Sequence, residues 1–391
     1  MPEPSTPRDL RLDFFRGVAL IFIFVDHIPE NFLSYFTLEA FGFFDAAEVF
    51  IFISGFTAAL VYGRRLVEKG AVYATAQVLR RAWQLYVAHV FLFVIFIAEV
   101  SYTVTTFKNP MYNEEMRVAD FLGEPHVAVV QALLLQFQPT FLDILPLYIL
   151  MLVIFPVVLL SMRRHPLLLL LPSAVLYVAV QLLGMAVPAY PEGHVWYFNP
   201  LAWQFLFISA ALLGYAQTVG WRHIPLPRAI RRVLYPAAAV IFAAACLIKL
   251  SWTIHGVWEP FPGLFLKQLW PINKSNLSPL RLVPFYALVV LVATLLSREA
   301  RFLRGATARP LVLCGQQSLE IFCLSIVLSL LAHFILTEYG ASVPMQLAVN
   351  VAGIAIMCLT AWMIAWYKAV DRMPALHAAA AARQSSDGIA E

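Results

Sequence analysis

Ten long apolar runs dominate this 391-residue sequence and leave few folds open to it. They lie at roughly 14–29, 44–62, 82–105, 141–162, 167–185, 201–219, 235–254, 281–297, 311–336 and 345–367. A run of about 20 apolar residues matches the thickness of a bilayer's hydrocarbon core. Because a helix satisfies its own backbone polar groups in lipid, we predict an all-α fold. The expected architecture is a polytopic membrane protein, a bundle of about ten transmembrane helices.

The composition favours the same class of protein. Hydrophobic residues make up 61% of the chain and charged residues only 13%, whereas soluble domains carry about 25% charged residues. A formal net charge of +4, with no single basic patch, gives no indication of nucleic acid binding. The four cysteines lie in apolar runs without metal-ligand spacing. We therefore interpret them as small hydrophobic residues and predict no metal site.

The distribution of Lys and Arg predicts the orientation in the lipid bilayer. Basic residues concentrate in alternate loops, which the positive-inside rule assigns to the cytoplasm together with both termini. Arg8, Arg11 and Arg16 imitate the start of a signal peptide, but no small-residue cleavage site follows, so we expect an uncleaved span. Residues 1–370 are predicted to form one transmembrane domain, and 371–391 a disordered cytoplasmic tail.

Arg16 and His27 bracket the first apolar run, and Asp26 directly precedes the histidine. A charged side chain inside a span costs roughly 2.5 to 3.5 kcal/mol, so such residues indicate function. At a rise of about 1.5 Å per residue, His27 lies about 16 Å along the helix axis from Arg16. This separation suits a site that draws on both compartments.

Two carboxylates open the second run in the external half of the membrane, where His27 is also expected. Asp45 and Glu48 are one helical turn apart. A carboxylate beside a histidine orients the imidazole and raises its basicity, as for a general base. The alternative interpretation is that both residues favour the helix N-terminus through the helix dipole.

The third run begins with two arginines and contains a histidine. Arg80 and Arg81 fall at the cytoplasmic edge, where they either anchor the helix or bind a phosphate-bearing donor. His89 falls near the bilayer centre and must face protein or water, as a functional group or in a structural hydrogen bond. Glu320 falls near the middle of the ninth run, where helix capping would not explain it.

Two long external loops, 106–140 and 255–280, are rich in proline and aromatic residues. Long loops often serve as lids or binding segments. Aromatic residues near the ends of spans also act as interfacial anchors. The sequence leaves both interpretations open. If the loops bind a ligand, we expect that ligand to be a carbohydrate.

The spacing from Arg16 to His27 resembles the signature of membrane-bound acyltransferase family 3. The segment from Glu48 to Ser54-Gly55-Phe56 resembles that family's acidic-x-Phe-Phe-x-x-Ser-Gly-Phe segment. More narrowly, the chain resembles the OpgC branch, which is linked to succinylation of osmoregulated periplasmic glucans in Gram-negative bacteria. The stretches 11–17, 80–89, 141–148, 199–204 and 315–320 add to the resemblance. One departure is Gln84, where many members of the larger family carry a second arginine.

The resemblance implies an acyl-CoA-dependent O-acyltransferase of the bacterial inner membrane. It implies succinyl-CoA as the donor substrate, a periplasmic glucan as the acceptor, and no tightly bound cofactor. In this interpretation His27 is the general base, oriented by Asp26, Asp45 or Glu48. The predicted donor-binding residues are Arg16, Arg80, Arg81, His89 and Ser54. Direct transfer and a transient acyl-histidine both stay open.

Two other functions fit the same residues. One is an O-acetyltransferase for a different envelope polysaccharide. The other is a secondary transporter, although the sequence lacks the internal repeat that many transporters show. A homo-oligomer is compatible with the sequence. A dicarboxylic donor would require a cation near the acyl group, and the sequence does not identify that cation.

Overall fold

The computed structural model of the protein describes residues 8–109, 111–218, 228–254 and 272–371, together with residues 258, 260, 261, 267 and 269. The tail predicted at 371–391 lies outside the described residues beyond Asp371. Much of the loop predicted at 255–280 also lies outside them.

Eleven helices carry the fold of the described residues. They are α1 (Leu10–Asp26), α2 (Ala46–Lys69), α3 (Ala71–Phe107), α4 (Ile144–Arg164), α5 (Pro166–Leu183), α6 (Pro200–Thr218), α7 (Arg228–Thr253), α8 (Pro279–Leu295), α9 (Arg309–Gln316), α10 (Ser318–Tyr339) and α11 (Val343–Val370). The remaining helices are short, namely Leu38–Phe41, Met111–Glu115, Ala119–Gly123, Pro125–Leu133 and the 3₁₀ turns Phe32–Phe36 and Arg301–Arg304. Strands β1 (Pro188–Ala189) and β2 (His194–Val195) form one antiparallel hairpin.

The predicted all-α membrane class is confirmed. Within the described residues, six helices are long and apolar enough to cross a bilayer, namely α2, α3, α4, α7, α10 and α11. Residues Leu168–Leu183 of α5 and the whole of α8 are shorter apolar helices. Each of the ten predicted runs coincides with helix. The count of ten crossings and the cytoplasmic termini stay predictions.

One boundary prediction is wrong, because the run predicted at 311–336 is two helices. Gln317 separates α9 from α10 with φ −106° and ψ 38°, outside the helical region. Its side-chain oxygen accepts a hydrogen bond of 2.5 Å from Lys368 of α11. The same ammonium pairs with Glu320 at 3.1 Å. Glu320 thus lies in the first turn of α10, and its side chain is 45% exposed.

Glycines allow the central helices to approach one another closely. A Cβ atom on Gly17 of α1 would lie 1.9 Å from the Leu311 carbonyl oxygen of α9. A Cβ atom on Gly315 of α9 would lie 1.8 Å from the Asp13 oxygen of α1. A Cβ atom on Gly55 of α2 would lie 2.3 Å from the Phe207 carbonyl oxygen of α6. Small residues at such crossings bring the backbones together, and here they fix the position of α1.

A methyl group at the crossing of α1 and α9 should destabilise the fold. We expect Gly17→Ala and Gly315→Ala each to lower the free energy of unfolding by about 1–3 kcal/mol, because the backbones must separate. Gly123→Ala is the matched control, since a Cβ atom there meets nothing within 4 Å. Thermal unfolding in detergent measures the difference. Equal unfolding temperatures for Gly17→Ala and Gly123→Ala would contradict this packing.

Candidate active site

A cavity of about 390 Å³ opens near the N-terminal end of α1, and we call it the arginine cavity. Its charged lining residues are Arg8, Asp9, Asp13, Arg16, Arg64, Arg81 and Arg298. Ser54 of α2 and Tyr148 of α4 line it as well. Three of the five residues predicted to bind the donor therefore meet in one cavity.

Arg16 and Arg81 make hydrogen bonds to neutral oxygens. Arg16 donates to Thr57 Oγ1 at 2.7 Å and to the Ile53 carbonyl oxygen at 3.4 Å. Arg81 donates to Gln84 Oε1 at 3.3 Å. Since none of these three hydrogen bonds is to a carboxylate, both guanidinium groups are suited to bind an anion.

Acidic partners hold other arginines of this cavity in place. Arg8 pairs with Asp13 at 2.6 Å, and Asp9 pairs with Arg11 at 2.9 Å and with Arg298 at 3.3 Å. Burial acts to raise the pKa of Asp9, but the hydrogen bonds from Arg11 outweigh burial and keep the pKa below its usual range. Asp9 therefore stays ionised and fixes the mouth of the cavity.

Arg80 and His89 lie away from the arginine cavity. Arg80 is exposed on α3. His89 is buried on the same helix, and neither ring nitrogen has a hydrogen-bond partner among the described residues. The structure thus separates these two predicted donor-binding residues from Arg16, Arg81 and Ser54.

His27 lines a second cavity, of about 80 Å³, at the other end of α1. The other charged residues of this histidine cavity are Asp26, Glu39, Asp45, Asp143 and Lys274. His27 caps α1, with its backbone N–H donating to the Ile23 carbonyl oxygen, and its ring packs 4.5 Å from the Phe141 ring. Within the described part of the chain, His27 Nδ1 is buried without a hydrogen-bond partner. A neutral imidazole in this state can accept a proton.

Asp26 is the last residue of α1 and lines the same cavity. One of its carboxylate oxygens, Oδ1, is buried and has no hydrogen-bond partner among the described residues. Asp26 is thus a second acceptor facing the histidine cavity, and a ligand hydroxyl could satisfy it.

Asp45 and Glu48 belong to a network of four charges with Lys274 and Arg281. Arg281 donates to Glu48 Oε1 at 2.6 Å and to Asp45 Oδ2 at 3.0 Å. Lys274 Nζ lies 2.7 Å from the same Asp45 oxygen. Both carboxylates also form the capping box that begins α2. The helix-start interpretation therefore describes their geometry, and no hydrogen bond among the described residues joins either one to His27.

Sequence reasoning missed Lys274, Arg281 and Asp143 as site residues. The sequence pattern predicted no role in the site for any of the three. The available signal was the position of Lys274 and Arg281 on the side that the predicted topology places outside the cytoplasm, where the positive-inside rule makes Lys and Arg scarce. Buried cations of that kind require buried carboxylates as partners.

One face of α2 connects the arginine cavity with the histidine cavity. Ala47 lines the histidine cavity, whereas Phe50 and Ser54 line the arginine cavity, at helical spacings of three and four residues. The Phe50 ring lies 5.9 Å from the ring of Phe322, which lines the histidine cavity. This pair of rings marks the boundary between the two cavities.

A third cavity, of about 330 Å³, lies at the histidine end of the fold, and we call it the aromatic cleft. It is lined by Glu114, Arg117, Ala119, Asp120, Phe137, Gln138, Ala189, Tyr190, Pro191, His194, Val195 and Tyr197. Tyr190 contacts Phe137 ring to ring at 5.7 Å, and both strands of the hairpin contribute. Aromatic faces among carboxylate and amide groups suit a ligand rich in hydroxyls and C–H groups.

Lys274 lies where the aromatic cleft and the histidine cavity meet. Tyr197 lines the cleft and Phe198 lines the histidine cavity. Lys274 Nζ is 5.9 Å from the Tyr197 ring centroid and 5.8 Å from that of Phe198. The three cavities thus follow one another from the N-terminal end of α1 to the opposite end of the fold.

No curated protein sequence and no solved structure matches the chain. A family model does match it, the one described as OpgC protein, over residues 8–369. That match covers almost the entire length and includes every residue of the three cavities. Together with the apolar helices, it makes the chain a membrane-associated member of a transferase family. The chain therefore belongs to the OpgC protein family.

Proposed function

We propose that the protein is an inner-membrane O-acyltransferase that moves an acyl group from cytosolic acyl-CoA to hydroxyls of a periplasmic glucan. The observation that carries this proposal is the position of His27. Its buried Nδ1, which has no hydrogen-bond partner among the described residues, lies in a cavity between an arginine-rich cavity and an aromatic cleft. Ten spans with both termini in the cytoplasm would put the arginine cavity on the cytosolic side.

The donor site in this proposal is the arginine cavity. Arg16 and Arg81 would bind the phosphates of CoA, because a guanidinium presents paired donors that match phosphate oxygens. Arg80 would add positive potential from the adjacent exposed surface. The pantetheine arm would follow the face of α2 past Ser54 and Phe50 toward His27. A thin, flexible arm suits this route, since the ring pair of Phe50 and Phe322 narrows it.

The acceptor site in this proposal is the aromatic cleft. A sugar ring would pack its C–H face on Tyr190 or Tyr197, with its hydroxyls donating to Glu114 and Asp120. One hydroxyl would enter the histidine cavity, where His27 removes its proton and the oxygen attacks the thioester carbon. Asp26 would accept a hydrogen bond from a neighbouring hydroxyl. A succinyl group is the donor that the family suggests, and an acetyl group uses the same chemistry.

Replacement of His27 should abolish transfer. We expect His27→Ala to lower the rate of label transfer from radiolabelled succinyl-CoA or acetyl-CoA to glucan at least about 100-fold, the usual contribution of a general base. His165→Ala, on an exposed histidine at the end of α4, is the matched control. Purified protein in detergent with each donor in turn gives the measurement. Transfer by His27→Ala at the wild-type rate would remove the proposed base.

Loss of an arginine from the arginine cavity should weaken donor binding. We expect Arg16→Gln and Arg81→Gln each to weaken CoA binding by about tenfold, the value of a lost charged hydrogen bond. The measurement is the rise in unfolding temperature on addition of CoA, because a ligand of the folded state stabilises it. Arg164→Gln, on an exposed arginine, should keep the full rise. If CoA raises the unfolding temperature of Arg16→Gln and Arg164→Gln equally, the phosphates of CoA do not bind at Arg16.

Loss of an aromatic ring from the cleft should weaken binding of the acceptor and leave binding of the donor unchanged. We expect Tyr190→Ala to raise KM for the glucan several-fold and to leave KM for acyl-CoA unchanged, because Tyr190 lies in the aromatic cleft, away from the donor site. Steady-state kinetics with each substrate varied separately gives both values. Tyr339→Ala, on a tyrosine that is 73% exposed, is the control. An unchanged KM for glucan in Tyr190→Ala would argue against the aromatic cleft as the acceptor site.

A further inference from the structure

We propose that Lys274 is a catalytic residue whose ammonium group stabilises the oxyanion formed at the acyl carbon when the acceptor oxygen attacks. The inference rests on the proposed function, since it concerns the same site and the same reaction. Lys274 and His27 line one cavity of about 80 Å³, so a carbonyl group that enters it lies near both side chains. Lys274 is the cationic side chain that lines this cavity among the described residues.

A dense set of hydrogen bonds holds the segment that carries Lys274. Asn199 N–H and Trp203 Nε1 both donate to the Ser275 carbonyl oxygen, at 3.1 and 3.0 Å. Asn199 Nδ2 donates to Asn276 Oδ1 at 2.9 Å. Asn199 and Trp203 belong to the stretch 199–204 that the sequence singled out. That stretch thus acquires a physical role, which is to position the residues beside Lys274.

Helix α5 holds the same segment from a second side. Gln181 Nε2 donates to the Asn276 carbonyl oxygen at 2.6 Å, and the Tyr177 hydroxyl donates to the Leu277 carbonyl oxygen at 2.8 Å. Residues of α5 and of the start of α6 therefore fix the backbone directly after Lys274. A donor that is held before the reaction begins needs little reorganisation during it, which is the condition for strong transition-state stabilisation.

The ion pairs of Lys274 allow it to act on a substrate. Asp45 Oδ2 contacts both Lys274 and Arg281, at 2.7 and 3.0 Å. When Lys274 turns a donor toward a ligand, Arg281 still neutralises Asp45. An ammonium group has three donors, and Asp45 occupies one of them. Burial acts to lower the pKa of Lys274, but the Asp45 carboxylate outweighs burial and raises the pKa above its usual range. Lys274 is therefore a cation at neutral pH.

His27 and Lys274 together supply the proton transfers and the hydrogen bond that acyl transfer requires. His27 takes the proton of the acceptor hydroxyl while the hydroxyl oxygen forms a bond to the thioester carbon. The electron pair of the C=O double bond moves to the carbonyl oxygen, and Lys274 donates a hydrogen bond to that oxyanion. When the double bond re-forms, the C–S bond breaks and the thiolate takes the proton from the His27 imidazolium. The products are the acyl ester of the acceptor and free CoA.

The charges around the cavity favour this role over binding of the carboxylate of a succinyl group. The side chains of Asp26, Glu39, Asp45 and Asp143 line the cavity together with Lys274. The permanent carboxylate of a succinyl group would be repelled by these four acidic groups. An oxyanion exists only during transfer, and it forms beside the ammonium group of Lys274. The effect of Lys274 should therefore be the same for charged and uncharged acyl groups.

The test compares Lys274→Met, Lys274→Arg and the exposed control Lys108→Met with succinyl-CoA and acetyl-CoA as donors. We expect Lys274→Met to lower kcat at least about 100-fold with both donors, as for loss of an oxyanion donor. Its CoA-induced rise in unfolding temperature should equal that of the wild type, which shows a folded, donor-binding protein. Lys274→Arg keeps the cation and should recover part of kcat. Lys108→Met should behave as wild type.

Three results would overturn the inference. Wild-type kcat in Lys274→Met would remove the catalytic role. A loss confined to succinyl-CoA would make Lys274 the binding residue for the acyl carboxylate instead. A folded Lys274→Arg with no more activity than Lys274→Met would show that the charge is not what matters. The proposed function fails in a different way, by absence of transfer in the wild type with both donors.

Discussion

The pairing of the buried residues Asp45, Glu48 and Arg281 with the partly exposed Lys274 is the interaction on which the rest of the site depends. It joins the first turn of α2 to the first turn of α8 and to the segment that carries Lys274. Glu48 is fully buried, and removal of one partner from a buried pair costs about 3–5 kcal/mol because the other charge loses its compensation. The network therefore holds these charged side chains in fixed positions at the edge of the histidine cavity.

The second constraint is the close packing of α1 against its neighbours. Gly17 and Gly315 allow α1 to lie directly on the backbone of α9. Arg16 lies next to one of these contacts, and His27 lies at the far end of the same rigid helix. A helix of 17 residues is about 25 Å long, so one element carries both Arg16 of the arginine cavity and His27 of the histidine cavity. The spacing between arginine and histidine therefore corresponds to the separation of the two cavities along α1.

Much of the fold could be predicted from the sequence, because burial in lipid imposes long apolar runs that are visible without tertiary information. The break at Gln317 could not be predicted, since the residue lies inside an apolar run and its side-chain partner, Lys368, is 51 residues away. For the site, the cost of a charge inside a span singled out Arg16 and His27, and each of them lines a cavity. The pairing of Asp45 with Arg281 could not be predicted, because Arg281 is 236 residues away in the sequence and looks like any basic residue at the end of a span. Contacts of that range are a property of the packed bundle and leave no local pattern.

The central claim is that one bundle receives donor and acceptor from opposite faces of a membrane. The most direct test reconstitutes the protein in vesicles of one orientation, with radiolabelled acyl-CoA confined to the face of the arginine cavity and glucan confined to the other. We predict labelled glucan on the far side, with free CoA appearing on the near side. Transfer that occurs only when donor and acceptor share the same side would contradict the claim.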